Sequence, residues 1–205
     1  MDARKSAQQG RSRALAQRLL AATVRVTSAS GPNAATVPRI AALAMVAPAS
    51  VYRRYHDWDA LVRAAFLHML EQSSASNRLP LKGALLKPTP HATAARLMTL
   101  LFARYRVQPL LIRSLTRYLD ATDDRNFIRG VRSPMMANVE EVVAVFLHHR
   151  AEVTDADPER ALRFAVLNAT CSTEAFSLDT NALWHGFPDF SADRPMAELA
   201  AGFVA

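Results

Sequence analysis

An all-α fold is what this sequence predicts, and three observations predict it. Half of the 205 residues are hydrophobic, with Ala, Leu, Arg and Val recurring throughout, and these favour helices. Strict apolar–polar alternation, the mark of a half-buried strand, is hard to find along the chain. The breakers gather at boundaries, in Gly31-Pro32-Asn33, at Pro48, between Asn77 and Pro90, and at Pro109, Gly130, Pro134, Pro158 and Pro188.

The elements follow in order. A first helix is expected from about Ser12 to Ala29, with Leu15, Leu19, Ala22 and Val26 on one apolar stripe and Gly31 ending it in a left-handed conformation. A short second helix fits Val37 to Ala44, with Thr36 as N-cap and Pro38 in its first turn. A third fits Pro48 to Tyr55. A fourth starts at Asp57, whose carboxylate can cap free N–H groups, and runs through Leu61, Ala65 and Leu70. The stretch from Asn77 to Pro90, with three prolines and two lysines, reads as a linker or mobile loop. Helices then resume at about 91–107, 109–119, 123–150 and 157–179, with a short tail helix near 194–204. Pro134 is expected to kink or divide the third of these.

Charge narrows the function classes. The net charge is +7. Through position 63 there are ten Lys and Arg against three acids, and beyond it fifteen of each, so the whole excess lies in the first third. A polyanion partner for that third is the economical explanation, a solvated basic surface the bland one. The single cysteine, Cys171, allows no disulfide within the chain and points to a reducing, cytoplasmic compartment. Residues 1–13 are polar and basic, unlike a signal peptide, and no run of about 18 apolar residues suggests a membrane span. The six histidines show no metal-ligand spacing, and there is no phosphate-binding glycine loop or nucleophile elbow. No cofactor, no metal and no enzymatic activity are therefore expected.

Residues 36–55 have the pattern of a helix-turn-helix. A groove-reading helix must be short, anchored by apolar residues behind and polar or basic in front. Ile40, Ala41, Ala44, Val46 and Val51 can supply the back; Ser50, Tyr52, Arg53 and Arg54 the front. The run Leu19-Leu20-Ala21-Ala22, Gly31, Thr36-Val37, Ile40-Ala41, Ala44 through Tyr55, then Asp57-Trp58-Asp59-Ala60-Leu61 resembles the N-terminal domain of TetR-family regulators, over about residues 15–65 with spacing kept. The resemblance implies a helix-turn-helix DNA-binding domain over 1–56, with its basic N-terminal arm, and a helical ligand-binding and dimerisation domain over 57–205. It implies a transcriptional regulator, usually a repressor, that binds a near-palindromic double-stranded operator as a homodimer. Tyr52 becomes the leading phosphate contact, with a partly buried core tyrosine as the alternative. Thr36, Val37, Arg39, Pro48, Ala49, Ser50, Arg53 and Arg54 would lie on or near the groove.

Four positions depart from the family pattern. Met45 stands where glycine is usual: either the methionine is left-handed, at a cost on the order of 1 kcal/mol, or the turn is altered and takes a different dihedral. Ala47 replaces a serine N-cap, forgoing a bond worth about 1 kcal/mol. Ala49 replaces a glycine. Trp58 replaces a lysine, and its indole can either donate to phosphate or pack on the helix-turn-helix. The arm, with Arg4, Lys5, Arg11 and Arg13, can reach DNA or remain a disordered tail.

The second half is charge-neutral. Met69, Met98, Phe102, Tyr105, Ile112, Tyr118, Met135, Met136, Val139, Val143 and Phe146 can line a cavity for a small hydrophobic effector, or form plain core. Ala161, Leu162, Ala165, Val166, Ala169, Thr173 and Phe176 suit a close helix–helix dimer contact. Cys171 is expected to be a packed, inert thiol rather than a redox sensor. The rival functions are a DNA-binding regulator with a filled core and no effector, and a helical partner-binding module.

Overall fold

The computed structural model describes residues 2–77, 81–179 and 181–187. Among these there are nine α-helices and no strand: α1 (Asp2–Ser30), α2 (Val37–Leu43), α3 (Pro48–Tyr52), α4 (Trp58–Asn77), α5 (Leu81–Leu85), α6 (Pro90–Val107), α7 (Pro109–Ala121), α8 (Arg125–Phe146) and α9 (Pro158–Leu178). Short 3-10 turns occupy Pro32–Ala34, Leu147–Glu152 and Leu183–Gly186. The tail helix expected near 194–204 lies outside the described residues.

The helix starts follow a common chemistry. Asp57, Thr89 and Asp157 each accept a hydrogen bond from the backbone N–H three residues on, and Asp124 accepts from the N–H groups of both Asn126 and Phe127. Pro90 and Pro158 follow two of these caps at the first helical position, where no N–H is missed. Thr36 has the extended N-cap backbone but makes no side-chain capping bond, contrary to the role expected of it.

The chain divides into two compact units, Met1–Gln72 with Leu110–Val131, and Ser73–Pro109 with Arg132–Ala205. The first unit has two cores. One joins Leu19, Ala22 and Val26 of α1 to Val37, Ile40 and Ala41 of α2, Val51 of α3 and Leu61 of α4. The other joins Val62, Phe66 and Leu70 of α4 to Leu111 and Leu115 of α7 and to Phe127 and Val131 of α8. Neighbours such as Leu61 and Val62 diverge by about 100° on a helix, so α4 serves both cores. Its amino-terminal end is further tied by polar groups: Tyr118 donates to Asp59, and Arg63 lies 2.8 Å from Asp59 and 3.7 Å from Asp124.

In the second unit one core gathers Leu85 of α5, Ala94, Leu97 and Met98 of α6, Val142, Val143, Val145 and Phe146 of α8, and Leu162, Val166 and Ala169 of α9. Behind it Thr93 accepts from Lys87 N–H at 3.1 Å and meets Nε2 of the buried His149 at 3.1 Å.

Several expectations are corrected. The first helix starts at Asp2, not near Ser12, because Ala, Arg, Lys and Gln between positions 3 and 9 are good helix formers that outweigh Gly10. The 77–90 stretch is not wholly a loop: it contains α5, and Leu85 is fully buried. Pro134 stays inside α8 without dividing it. The α9 stripe assigned to a partner packs inward instead, with Leu162, Val166, Ala169 and Thr173 buried in the unit's own interior. Cys171 is exposed rather than packed.

Candidate nucleic-acid interface

The interface is built on two demanding turns. After α1, Gly31 has φ 78° and ψ 172°. The φ is positive, as expected, but the ψ is extended, a combination essentially restricted to glycine. Its N–H donates to Thr27 O at 2.9 Å and closes the helix. After α2, Met45 has φ 56°. Here Val46 N–H donates to Ala41 O at 3.0 Å and Met45 N–H to Ala42 O at 3.1 Å, the paired bonds of a Schellman turn. Val46 packs back on the first core, which fixes the exit direction toward α3. Methionine bears the left-handed strain usually left to glycine, and its side chain, 79% exposed, contributes no compensating burial.

From that turn α3 emerges with Pro48 at its first position and Ala47 as an N-cap without a side-chain bond. Val51 is buried against α1 and α2, so the opposite face points outward. Pro48, Ala49, Tyr52, Arg53 and Arg54 are exposed and Ser50 is half-buried. Tyr52 is 59% exposed, which excludes the core-tyrosine alternative and leaves its hydroxyl turned to solvent. Tyr55, half-buried against the core, has its hydroxyl pKa raised by burial, partly offset by Arg54.

Hydrogen bonds fix the flanking arginines. Arg53 donates to Ser50 Oγ at 3.1 Å, across one turn of the reading helix. Arg54 donates to Ser12 Oγ at 2.8 Å and Arg39 to Ser30 Oγ at 3.2 Å. Ser12 and Ser30 are eighteen residues apart, five helical turns at 3.6 residues per turn, so both serines lie on one line of α1. A guanidinium carries five N–H donors, so each arginine keeps donors for phosphate. The serine pins escaped sequence reasoning, although their spacing was available to it.

The expected DNA-facing residues thus divide. Thr36, Arg39, Pro48, Ala49, Ser50, Tyr52, Arg53 and Arg54 fall on the exposed or half-exposed side. Val37 does not: it is buried in the first core, because the inward periodicity of α2 includes it with Ile40 and Ala41. Trp58 settles on packing, since its one indole N–H donates to Ala35 O at 2.7 Å and is no longer free for phosphate.

The expected effector-lining residues are also divided. Met69 and Tyr118 pack with the second core of the first unit, where Ile112 is half-buried on α7. Met98, Val139, Val143 and Phe146 share the core of the second unit. Phe102 and Tyr105 are buried in that same unit, Phe102 edge-on to Phe176 and Tyr105 donating to Glu174 at 3.4 Å. Met136 is 66% exposed and Met135 43%, so neither is part of a packed interior.

Residues 19–65 match the sequence profile of the tetR family of bacterial regulatory proteins. This segment, with its helix-turn-helix, is similar to the DNA-binding domain of TetR-family regulators. No curated protein matches the sequence closely enough to count. Solved structures share the fold of this chain over nearly its full length. The transcriptional regulator FadR from Bacillus subtilis, crystallised with stearoyl-CoA, is 14% identical with a TM-score of 0.60, over 92% of this chain and 95% of that one. A TetR-family transcriptional regulator from Mesorhizobium loti MAFF303099 is 16% identical with a TM-score of 0.62, over 93% of each chain. A transcriptional regulator from Rhodococcus sp. Rha1 is 16% identical with a TM-score of 0.59, over 92% of this chain and 93% of that one. No helix among the described residues is long and apolar enough to cross a membrane.

Proposed function

We propose that this regulator is a ligand-responsive repressor that binds a near-palindromic operator as a homodimer. The observation that carries the DNA contact is the outward face at the end of α3, where Tyr52 and, just past the helix, Arg53 and Arg54 are exposed while Val51 anchors the helix to the core. Tyr52 donates to a backbone phosphate, Arg39, Arg53 and Arg54 add charge, and Thr36, Pro48, Ala49 and Ser50 line the groove. Phosphate contacts set register; base edges met by α3 set sequence.

Dimerisation is supported by an apolar face that folding leaves open. Phe164 is 72% exposed and Leu167 46%, with Asn168, Cys171 and Ala175 also exposed along the same side of α9. Arg163 bridges to Glu140 of α8 at 2.6 and 2.9 Å, beside that face. A second copy covers it, and α8 and α9 of both copies make a four-helix contact. Two reading helices then stand about 34–36 Å apart, matching successive major grooves. The effector class is supported by the FadR likeness, since that protein was crystallised with an acyl-CoA. In the second unit Met98, Phe102, Tyr105, Val139, Val143 and Phe146 supply a mainly apolar interior for it. A ligand shifts DNA affinity only if it binds one helix-turn-helix spacing better than the other. The sign of regulation rests on the family resemblance.

The test is the mass of the complex with a duplex selected from a random pool, followed by titration with acyl-CoAs of rising chain length. Two chains per duplex, and release by one length range, are expected. One chain per duplex overturns the dimer. Release by no acyl-CoA and no other apolar ligand leaves the effector-free regulator as the reading.

A further inference from the structure

Between Gln8 and Ala14, α1 contributes no side chain to a core. From Gln8 to Ala14 every side chain is exposed, and the first buried residue of α1 is Leu19. About two turns of helix with no buried side chain are marginal in water unless something else uses them. What distinguishes them is charge. Six basic residues, Arg4, Lys5, Arg11, Arg13, Arg18 and Arg25, lie on α1 against one acid, Asp2, whereas residues 36–55 hold only Arg39, Arg53 and Arg54. Most of the positive excess of the first third therefore sits on α1 and not on the helix-turn-helix.

The pattern is ordered. Arg4, Arg11, Arg18 and Arg25 recur every seventh residue. Seven residues make nearly two turns, so these positions form a line drifting about 20° per repeat, with steps of about 10.5 Å. No ion pair involves Arg11, Arg13, Arg18 or Arg25 among the described residues. The geometry also brings this end of α1 to the reading helix. Arg54, two residues past α3, donates to Ser12 Oγ at 2.8 Å. Arg11 and Arg13 flank Ser12, about 100° to either side.

We propose that the amino-terminal turns of α1 are a second DNA contact, in which Arg11 and Arg13 bind backbone phosphates flanking the half-site read by α3. This rests on the DNA-binding role of the helix-turn-helix and extends the interface beyond residues 19–65. Phosphate is the partner because the guanidiniums of Arg11 and Arg13 are exposed, have no carboxylate partner among the described residues and sit beside the face proposed to meet duplex DNA. The contact adds affinity without sequence preference.

The experiment uses the full chain, a selected operator with long flanks and the same operator trimmed to its half-sites. Arg11→Gln/Arg13→Gln keeps strong helix formers and removes both charges; Arg11→Lys/Arg13→Lys restores charge. On the long duplex the Gln variant is expected to bind roughly 10-fold more weakly at moderate salt, with the slope of log affinity against log salt reduced by about 0.9 per lost contact. The Lys variant recovers most of both, and on the trimmed duplex wild type and the Gln variant bind alike. Equal affinity and slope on the long duplex overturn the proposal, as does a loss that persists on the trimmed one. Binding to vesicles of anionic lipid that the Gln substitutions abolish, with DNA affinity unchanged, overturns it in favour of a membrane. If wild type enriches no duplex at all, it is the helix-turn-helix assignment that fails.

Discussion

Helices α3 and α9 each bury one face and leave the other open, and the open faces differ in kind. On α3 and just past its end the outward residues are polar and basic, with Tyr52, Arg53 and Arg54 around the buried Val51. On α9 they are largely apolar, Phe164 and Leu167 with Cys171 and Ala175, around buried Leu162, Val166 and Ala169. Exposed guanidinium and phenol groups remain hydrated until a polyanion replaces the water, whereas an exposed phenylalanine gains by any apolar cover. On the proposed reading the chemistry of the uncovered face selects the partner: DNA for α3, a second copy for α9.

The largest effect that can break this contrast is at α9. Phe164→Glu places a charge on the apolar face of both copies and is expected to give a monomer by sedimentation, with operator affinity falling more than about 100-fold because two linked half-sites become one. A variant that stays dimeric removes the α9 face from the dimer. Next comes α3. Tyr52→Phe removes one charge-assisted bond and is expected to weaken operator binding by roughly 10-fold, and Arg53→Ala by a similar factor, with the dimer and the urea midpoint unchanged. Loss of folding in either would place that side chain in the core.

A third pair of variants compares the two turns that position α3. Gly31→Ala forces a side chain into a backbone region that excludes it and is expected to destabilise by about 1–3 kcal/mol. Met45→Gly relieves left-handed strain and is expected to stabilise by about 0.5–1 kcal/mol, net of the extra freedom glycine gives the unfolded chain. Urea midpoints decide both. A less stable Met45→Gly protein would show that the methionine contributes a contact the turn needs. The smallest effect is at alkaline pH. Burial holds the hydroxyls of Tyr105 and Tyr118 well above the ordinary tyrosine range, with neighbouring Glu174 and Asp59 adding to it. Both stay neutral in the folded chain while the unfolded chain ionises, so stability is full below about pH 10 and declines above it. Tyr118→Phe is expected to flatten part of that decline in urea titrations at rising pH.

Legibility in the sequence followed locality. The helix-turn-helix was readable because its signals are short-range: Gly31 and Pro48 at the boundaries, Asp57 as a cap, and Ile40, Ala41 and Val51 in one inward period. At Met45 the pattern left open a left-handed methionine or an altered turn, and the φ of 56° decides for the first. What the sequence hid was which neighbour each apolar stripe meets. Leu162, Val166 and Ala169 form a stripe that suits a partner or the chain's own core equally, and only the fold shows them in the core. Likewise Trp58 had two uses for one N–H, and Ala35 O, twenty-three residues away, decided between them. Met136 misled because softness and size say nothing about which side of α8 is covered.

The central claim is that the outward face of α3 reads duplex DNA, and selection from random duplexes at moderate salt tests it most directly. The full chain is expected to enrich inverted half-sites spaced by about 10–10.5 base pairs or a multiple of it, and Ser50 and Ala49 variants to shift the preferred bases. Enrichment of no sequence by the intact dimer would contradict it.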